Sequence, residues 1–231
     1  DLIPLLEADE IIALSPPGFG APAPEGFGAT AAEYVGWLAG ELQEIAGPID
    51  LVGHDWGAGH VMGLVNMAPA LVRSWASDIA GALDPAYVWH DMAQTWQTPG
   101  VGEAAVAAMV SAPVEARAGI FIANGARPAL AVRLAEGIDA EMGRCMLPLY
   151  RSAAQPVMAE FGADLSGLAS KPGLVIIATE DQFTGGEALA RRTAERAGAQ
   201  VAVLEGLGHW WMLQDPAAGA AALNTFWATL T

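Results

Sequence analysis

Cysteine is nearly absent from this sequence: Cys145 is the only one. That excludes an intramolecular disulfide and makes a reducing compartment, the cytoplasm, the expected location. Positive charge is scarce as well, with 10 Lys and Arg against 26 Asp and Glu and a formal charge of −16. Such a balance argues against nucleic acid and against anionic membrane surfaces as partners, although it selects no substrate. No apolar run reaches the length of a membrane span, and the N-terminal residues lack the basic-then-apolar order of a signal segment. Tandem repeats are missing too. What is present is apolar: 53% of the 231 residues are hydrophobic, enough to bury the core of one domain carrying one insertion. The composition allows a homodimer without requiring one.

One stretch organises the rest. Ile49 to Val52 is a short apolar run after Gly47-Pro48, suited to a buried strand and too short for a helix. From Ala58 to Met67 the pattern turns helical, with Val61, Met62, Leu64 and Val65 able to meet a core. Between the two lies Gly53-His54-Asp55-Trp56-Gly57. A strand that turns sharply into a helix strains the backbone of the middle residue and requires flanking positions without side chains. Asp55 therefore stands where a nucleophile elbow would hold its reactive residue. The N–H groups and dipole of the following helix favour the ionised carboxylate and can hold developing negative charge. The rival reading of Asp55 is a helix cap, a common duty of Asp.

Upstream, Glu10 to Leu14 reads as a strand, stopped by Ser15-Pro16-Pro17-Gly18-Phe19-Gly20, with loop up to Gly28. Thr30 opens a helix and pairs with Glu33 in a capping box; Tyr34, Leu38, Leu42 and Ile45 recur at helical spacing until Gly47-Pro48. Ser74 to Ile79 gives another strand. This alternation is that of a parallel α/β sheet. From about Gly81 to Leu168 the rhythm breaks into helices rich in Ala and Met, which predicts an inserted cap over the sheet's ligand edge. The spacing of Met142 and Met146 there reads as ordinary packing. The α/β pattern returns with a strand over 173–179, a helix over 187–197, a strand over 200–204 and a last helix from Pro216 to Leu230. The expected division is 1–80 for the first part of the core, 81–168 for the cap and 169–231 for the second part.

Asp55, Asp181 and His209 then stand beyond the carboxyl ends of three predicted strands, the edge where parallel sheets bind ligands. A carboxylate needs no base to attack an sp³ carbon. Histidine is needed afterwards, to activate water against the resulting ester, and a second carboxylate would orient that histidine. Glu180 and Asp78 compete with Asp181 for the orienting role. His54, His60 and His90 read as structural, and no spacing supports a metal site or calls for a cofactor.

These residues carry a resemblance. Val52-Gly53-His54-Asp55-Trp56-Gly57 resembles the elbow shared by epoxide hydrolases and haloalkane dehalogenases of the α/β-hydrolase superfamily. Ile11-Ile12-Ala13-Leu14 through Pro17-Gly18-Phe19-Gly20 is similar to their upstream strand and loop. Ala178-Thr179-Glu180-Asp181 resembles their acid-bearing turn, and Gly208-His209-Trp210 their histidine loop. Trp96-Gln97-Thr98-Pro99-Gly100-Val101-Gly102-Glu103 and Leu149-Tyr150-Arg151 are similar to shorter cap segments of epoxide hydrolases. The likeness spans nearly the whole chain.

It implies a three-layer α/β-hydrolase sandwich with a mostly parallel sheet and a helical cap, and hydrolysis through an alkyl-enzyme ester on Asp55. It also implies that Tyr150 assists a departing epoxide oxygen. The family's other ring-opening tyrosine position is held here by Met92, for which Tyr87 is the candidate substitute. Trp56 could serve either chemistry, through its backbone N–H or its indole, and Trp96 or Trp89 could hold a halide. The family's earlier strands and its His-Gly-x-Pro loop have no counterpart here, so the chain is expected to lack its native start. A hole short of that loop's donor would lose on the order of 3 kcal/mol of transition-state stabilisation. The expected partners are water and a small apolar substrate, most simply an epoxide. Haloalkane dehalogenation by the same triad is the second reading, and a pocket that binds without turnover is the third.

Overall fold

A computed structural model describes residues 1–230. Four strands, β1 (Asp50–Gly53), β2 (Ser74–Ser77), β3 (Gly173–Ala178) and β4 (Gln200–Leu204), form a fully parallel sheet in the order β1-β2-β3-β4. Helix α1 (Ala31–Gln43) precedes β1, and α2 (Trp56–Met67) follows it. The Thr30–Glu33 capping box expected at the start of α1 is present. Seven helices lie between β2 and β3: α3 (Asp91–Gln97), α4 (Val101–Ser111), α5 (Val114–Ala123), α6 (Pro128–Glu136), α7 (Ala140–Ser152), α8 (Val157–Phe161) and α9 (Ser166–Ala169). Helix α10 (Gly186–Arg196) joins β3 to β4, and α11 (Trp211–Gln214) and α12 (Pro216–Ala228) close the chain.

Strand β3 shows why the layers form. All six of its residues are buried, as expected of a central strand covered on both faces. Val175 and Ile177 point into one core with Val61, Met62, Leu64 and Val65 of α2 and Ala190 and Ala194 of α10. Leu174, Ile176 and Ala178 point the other way, onto Trp211, Leu223 and Phe226. The period of two in the sequence thus becomes two helical layers around one sheet. Met158 of α8 and Leu168 of α9 belong to the first of these cores, and the Trp75 indole donates to the Leu168 carbonyl at 3.1 Å. The last turns before β3 therefore pack into the core, whereas α3, α4 and α7 gather around Trp96, Val106, Met146 and Tyr150 above it.

Two expectations are corrected. Glu10 to Leu14 is no strand: it pairs with nothing among the described residues, and Ile11 and Ile12 are 39% and 50% exposed. Pairing is a property of two segments, and a groove of about 720 Å³ lies between this one and the sheet, lined by Ile11 and Leu14 on one side and Leu51 and Val52 on the other. For the same reason β1 is an edge strand and only partly buried, with Val52 37% exposed. The second correction concerns the elbow. Gly53 is sterically required, because a Cβ there would meet the Ala58 backbone at 2.4 Å. Gly57 is not: a Cβ there meets nothing within 4 Å, and the residue borders the groove.

Candidate functional site

Each strand end delivers one group to the same place. Beyond β1, Asp55 takes φ 50° and ψ −127°, a conformation costly for any residue with a Cβ. Its side chain makes no capping hydrogen bond to α2, so the helix-cap reading fails. Beyond β3, Asp181 is almost fully buried; its Oδ1 accepts the Phe183 N–H at 2.8 Å and its Oδ2 bonds His209 Nδ1 at 2.9 Å. Beyond β4, His209 brings Nε2 to 4.0 Å from Asp55 Oδ2. That separation suits an intervening small molecule better than a direct ion pair. Glu180 is exposed and takes no part.

Beyond β2 stands Asp78, the rival for the orienting role. It does not bond His209. Its Oδ1 accepts the Asp55 backbone N–H at 3.1 Å, while its Oδ2 faces His54 Nδ1 at 2.6 Å and the Trp211 indole N–H at 2.8 Å. A buried carboxylate would ordinarily be pushed up by desolvation. Here the His54 charge and hydrogen bond, the Trp211 donor and the nearby His209 outweigh burial and hold Asp78 below its usual pKa. Asp78 thus clamps the strained Asp55 backbone to the neighbouring strand. The sequence marked it only as an alternative acid, and its partners lie 23, 24 and 133 residues away in the chain.

Burial also works against a charged His209. The Asp181 hydrogen bond and the charges of Asp55, Asp181 and Asp78 overcome it, raising the pKa to about 8. With Nδ1 tied to Asp181, Nε2 is the edge presented to Asp55.

A cavity of about 250 Å³ opens over Asp55, lined among others by Trp56, Tyr87, Trp89, His90, Tyr150 and Phe183. It falls below the ~300–1,000 Å³ of drug-sized ligand sites, so it suits a small molecule. Tyr150 is buried in its wall, edge-on to Trp56 with ring centroids 5.0 Å apart. Burial, then the Asp55 charge, raise its pKa, so the phenol keeps its proton; a hydrogen bond with the Trp56 side chain pulls the other way. Tyr87 lines the cavity too, but its hydroxyl donates to the Phe183 carbonyl at 2.8 Å and is spent. The Trp89 indole is likewise spent on the Ala153 carbonyl at 3.1 Å, which removes it as a halide donor. Trp96 does not line the cavity; it packs behind Tyr150, with centroids 4.7 Å apart. Of the four substrate-contacting residues expected from sequence, Trp56, Tyr150 and Tyr87 line the cavity, Tyr87 with its donor committed, and Trp96 stands behind the wall.

His90, read from sequence as structural, is a wall residue. Its Nδ1 accepts the Ala93 N–H at 3.2 Å at the head of α3, and its ring lies 4.9 Å from that of Phe183. His90 is the N-cap residue of α3, a duty for which histidine is not among the favoured types, and no local sequence signal marks it. Among the described residues no three His, Cys, Asp or Glu side chains gather as a metal site would require. No single helix is long and apolar enough to cross a membrane.

An elbow residue, an acid and a histidine, delivered in that chain order by the ends of parallel strands, define the α/β hydrolases as a class. The chain belongs to that family: the alpha/beta hydrolase family model matches residues 1–222. Its backbone is similar to a loop variant of the haloalkane dehalogenase DbeA from Bradyrhizobium elkanii, with a TM-score of 0.73 at 17% identity over 99% of this chain and 84% of that one. It is also similar to a putative ancestral haloalkane dehalogenase (TM-score 0.72, 20% identity, 99% of this chain and 85% of that one). A meta-cleavage product hydrolase, CumD with the A129V substitution, has a TM-score of 0.71 at 18% identity over 98% of this chain and 83% of that one. No curated protein matches the sequence. At these identities the neighbours share the fold and differ in what they cleave.

Proposed function

We propose that the protein hydrolyses small apolar epoxides to diols through an ester on Asp55, with water as the second substrate. The observation that carries this reading is the 4.0 Å approach of His209 Nε2 to an Asp55 carboxylate that caps nothing, with His209 held by Asp181. In the first step an Asp55 oxygen attacks a ring carbon, and the carbon–oxygen bond of the epoxide breaks with its electron pair going to oxygen. Tyr150 donates to that oxygen and supplies its proton. In the second step His209 takes a proton from water as the hydroxide adds to the ester carbonyl. Collapse releases the diol, whose departing oxygen takes the proton from His209, and the carboxylic acid left on Asp55 returns its proton to the Tyr150 phenolate. The Trp56 backbone N–H, at the start of α2, is the donor we assign to the carbonyl oxygen as it becomes negative.

Haloalkane dehalogenation is the second reading, favoured by the fold of two of the neighbours and by Trp56 lining the same cavity as Asp55. It is weaker here because the indoles are committed or misplaced: the Trp56 side chain bonds Tyr150, Trp89 is bound to the Ala153 carbonyl and Trp96 lies off the cavity. Assay of a short terminal epoxide beside a bromoalkane of equal length separates the readings. Diol formation at the higher kcat/KM is expected; faster halide release would overturn the choice, and binding with neither product would leave a site that holds ligands without turnover.

A further inference from the structure

Breaking an epoxide in a cavity walled mostly by aromatic and aliphatic side chains builds negative charge on oxygen, and one phenol is thin support for it. The other donors of the cavity wall are mostly spent inside the protein. The Tyr87 hydroxyl goes to the Phe183 carbonyl at 2.8 Å, the Ser152 hydroxyl to the Leu149 carbonyl at 2.9 Å and the Thr30 hydroxyl to Glu33 Oε2 at 2.7 Å. The Trp89 indole is bound to the Ala153 carbonyl. His90 is different. Because its Nδ1 accepts the Ala93 N–H, that nitrogen carries a lone pair and the proton must sit on Nε2. No protein group among the described residues accepts from that Nε2–H. The ring is fixed at the cavity wall by the α3 cap on one edge and by edge-on contacts with Phe183 at 4.9 Å and Trp96 at 6.5 Å. Phe183 in turn lies 5.1 Å from the His209 ring, which places His90 one aromatic ring away from the triad.

We propose that the Nε2–H of His90 is the second hydrogen-bond donor to the leaving oxygen, the part that Tyr87 has given up. His90 lends the bond without surrendering its proton; the proton that ends on the oxygen comes from Tyr150. Burial keeps the ring neutral by lowering its pKa, while the charge of Asp55 is felt in the opposite direction. Neutrality matters, because a protonated ring could not accept the Ala93 N–H and would lose the cap that aims it. The substrate class follows: an epoxide whose oxygen turns toward the α3–α7 wall, with its carbon substituents toward Val35, Met158 and Phe161.

The inference rests on the epoxide reading, and the two fail differently. The measurement is single-turnover mixing of the full chain with a terminal epoxide, following the formation and decay of the Asp55 ester separately by quenched-flow mass spectrometry. In His90→Asn the side chain still caps α3 but is too short to reach the oxygen, so ester formation should slow about ten- to a hundredfold. Ester decay and thermal midpoint should stay near wild type. His90→Gln, which can cap and still reach, should recover part of the loss. Ester formation at the wild-type rate in His90→Asn, or an equal slowing of formation and decay, overturns the role of His90 and leaves the epoxide reading standing. No Asp55 ester in the wild type overturns both.

Discussion

The two walls of the cavity are built on opposite terms. On the sheet side, Asp55, Asp78, Asp181, His54 and His209 are tied mainly to one another and to buried N–H groups, four strand ends converging on one charged cluster. On the cap side the wall is aromatic, and its polar tips are bound to backbone carbonyls, as with Tyr87 and Trp89. The sheet wall can stabilise charge and move protons; the cap wall chiefly shapes space and leaves only a few donors free. In the proposed reaction, chemistry therefore belongs to the ends of the strands, and selection of the leaving group to whichever cap donors remain unspent.

The sharpest break of that contrast is Asp78→Asn. Removing the charge leaves a carboxamide facing two ring nitrogens and the Asp55 N–H, so one contact must lose its acceptor. Breaking such a buried charged cluster costs about 3–5 kcal/mol. A fall of that order in unfolding free energy is expected, with both ester formation and ester decay slowed because the elbow itself is loosened. A variant of wild-type stability, with both rates intact, would mean that β1 and α2 hold Asp55 unaided. A change of comparable size on the cap side, such as His90→Asn, should leave stability alone and touch ester formation only.

How much of this was legible beforehand follows the distance between partners. The elbow, the acid turn and the histidine loop are local patterns at strand ends, so the candidates for each place are readable from the chain. Asp181 against Asp78 is not decidable from the chain, because both follow strands and only the register of β1 beside β2, with Gly53 opposite Ser77, brings Asp78 next to His54. Nothing near Tyr87 in the chain shows that its donor is taken, because its acceptor, Phe183, is 96 residues away; for Trp89 the acceptor, Ala153, is 64 away. The Glu10–Leu14 segment looked like a strand because its residues favour one, but hydrogen-bonded neighbours decide. Helix capping went the other way: Thr30 and Glu33 are three residues apart, and that box was readable at once.

A smaller effect concerns pH. In the proposed mechanism His209, with a pKa raised to about 8, must be neutral to take a proton from water, so ester decay should rise with pH as that group deprotonates. Around it stand Asp55 and His54 on the elbow, Asp78 beyond β2, Asp181 and Phe183 beyond β3, Trp210 beside it and His90 on the cap. Once Asp55 is an ester its charge is gone, and one of the negative charges holding the His209 proton disappears. The midpoint for ester decay should therefore lie below the His209 midpoint titrated in the free enzyme. Coincident midpoints would show that the Asp55 charge does not reach the ring.

The most direct measurement is intact and peptide mass spectrometry of His209→Gln after exposure to a terminal epoxide. The account requires a stable adduct equal to the mass of the epoxide, on the peptide containing Asp55 and absent when Asp55 is replaced by Asn. An unmodified Asp55 peptide, or an adduct on any other residue with diol still formed, would contradict it.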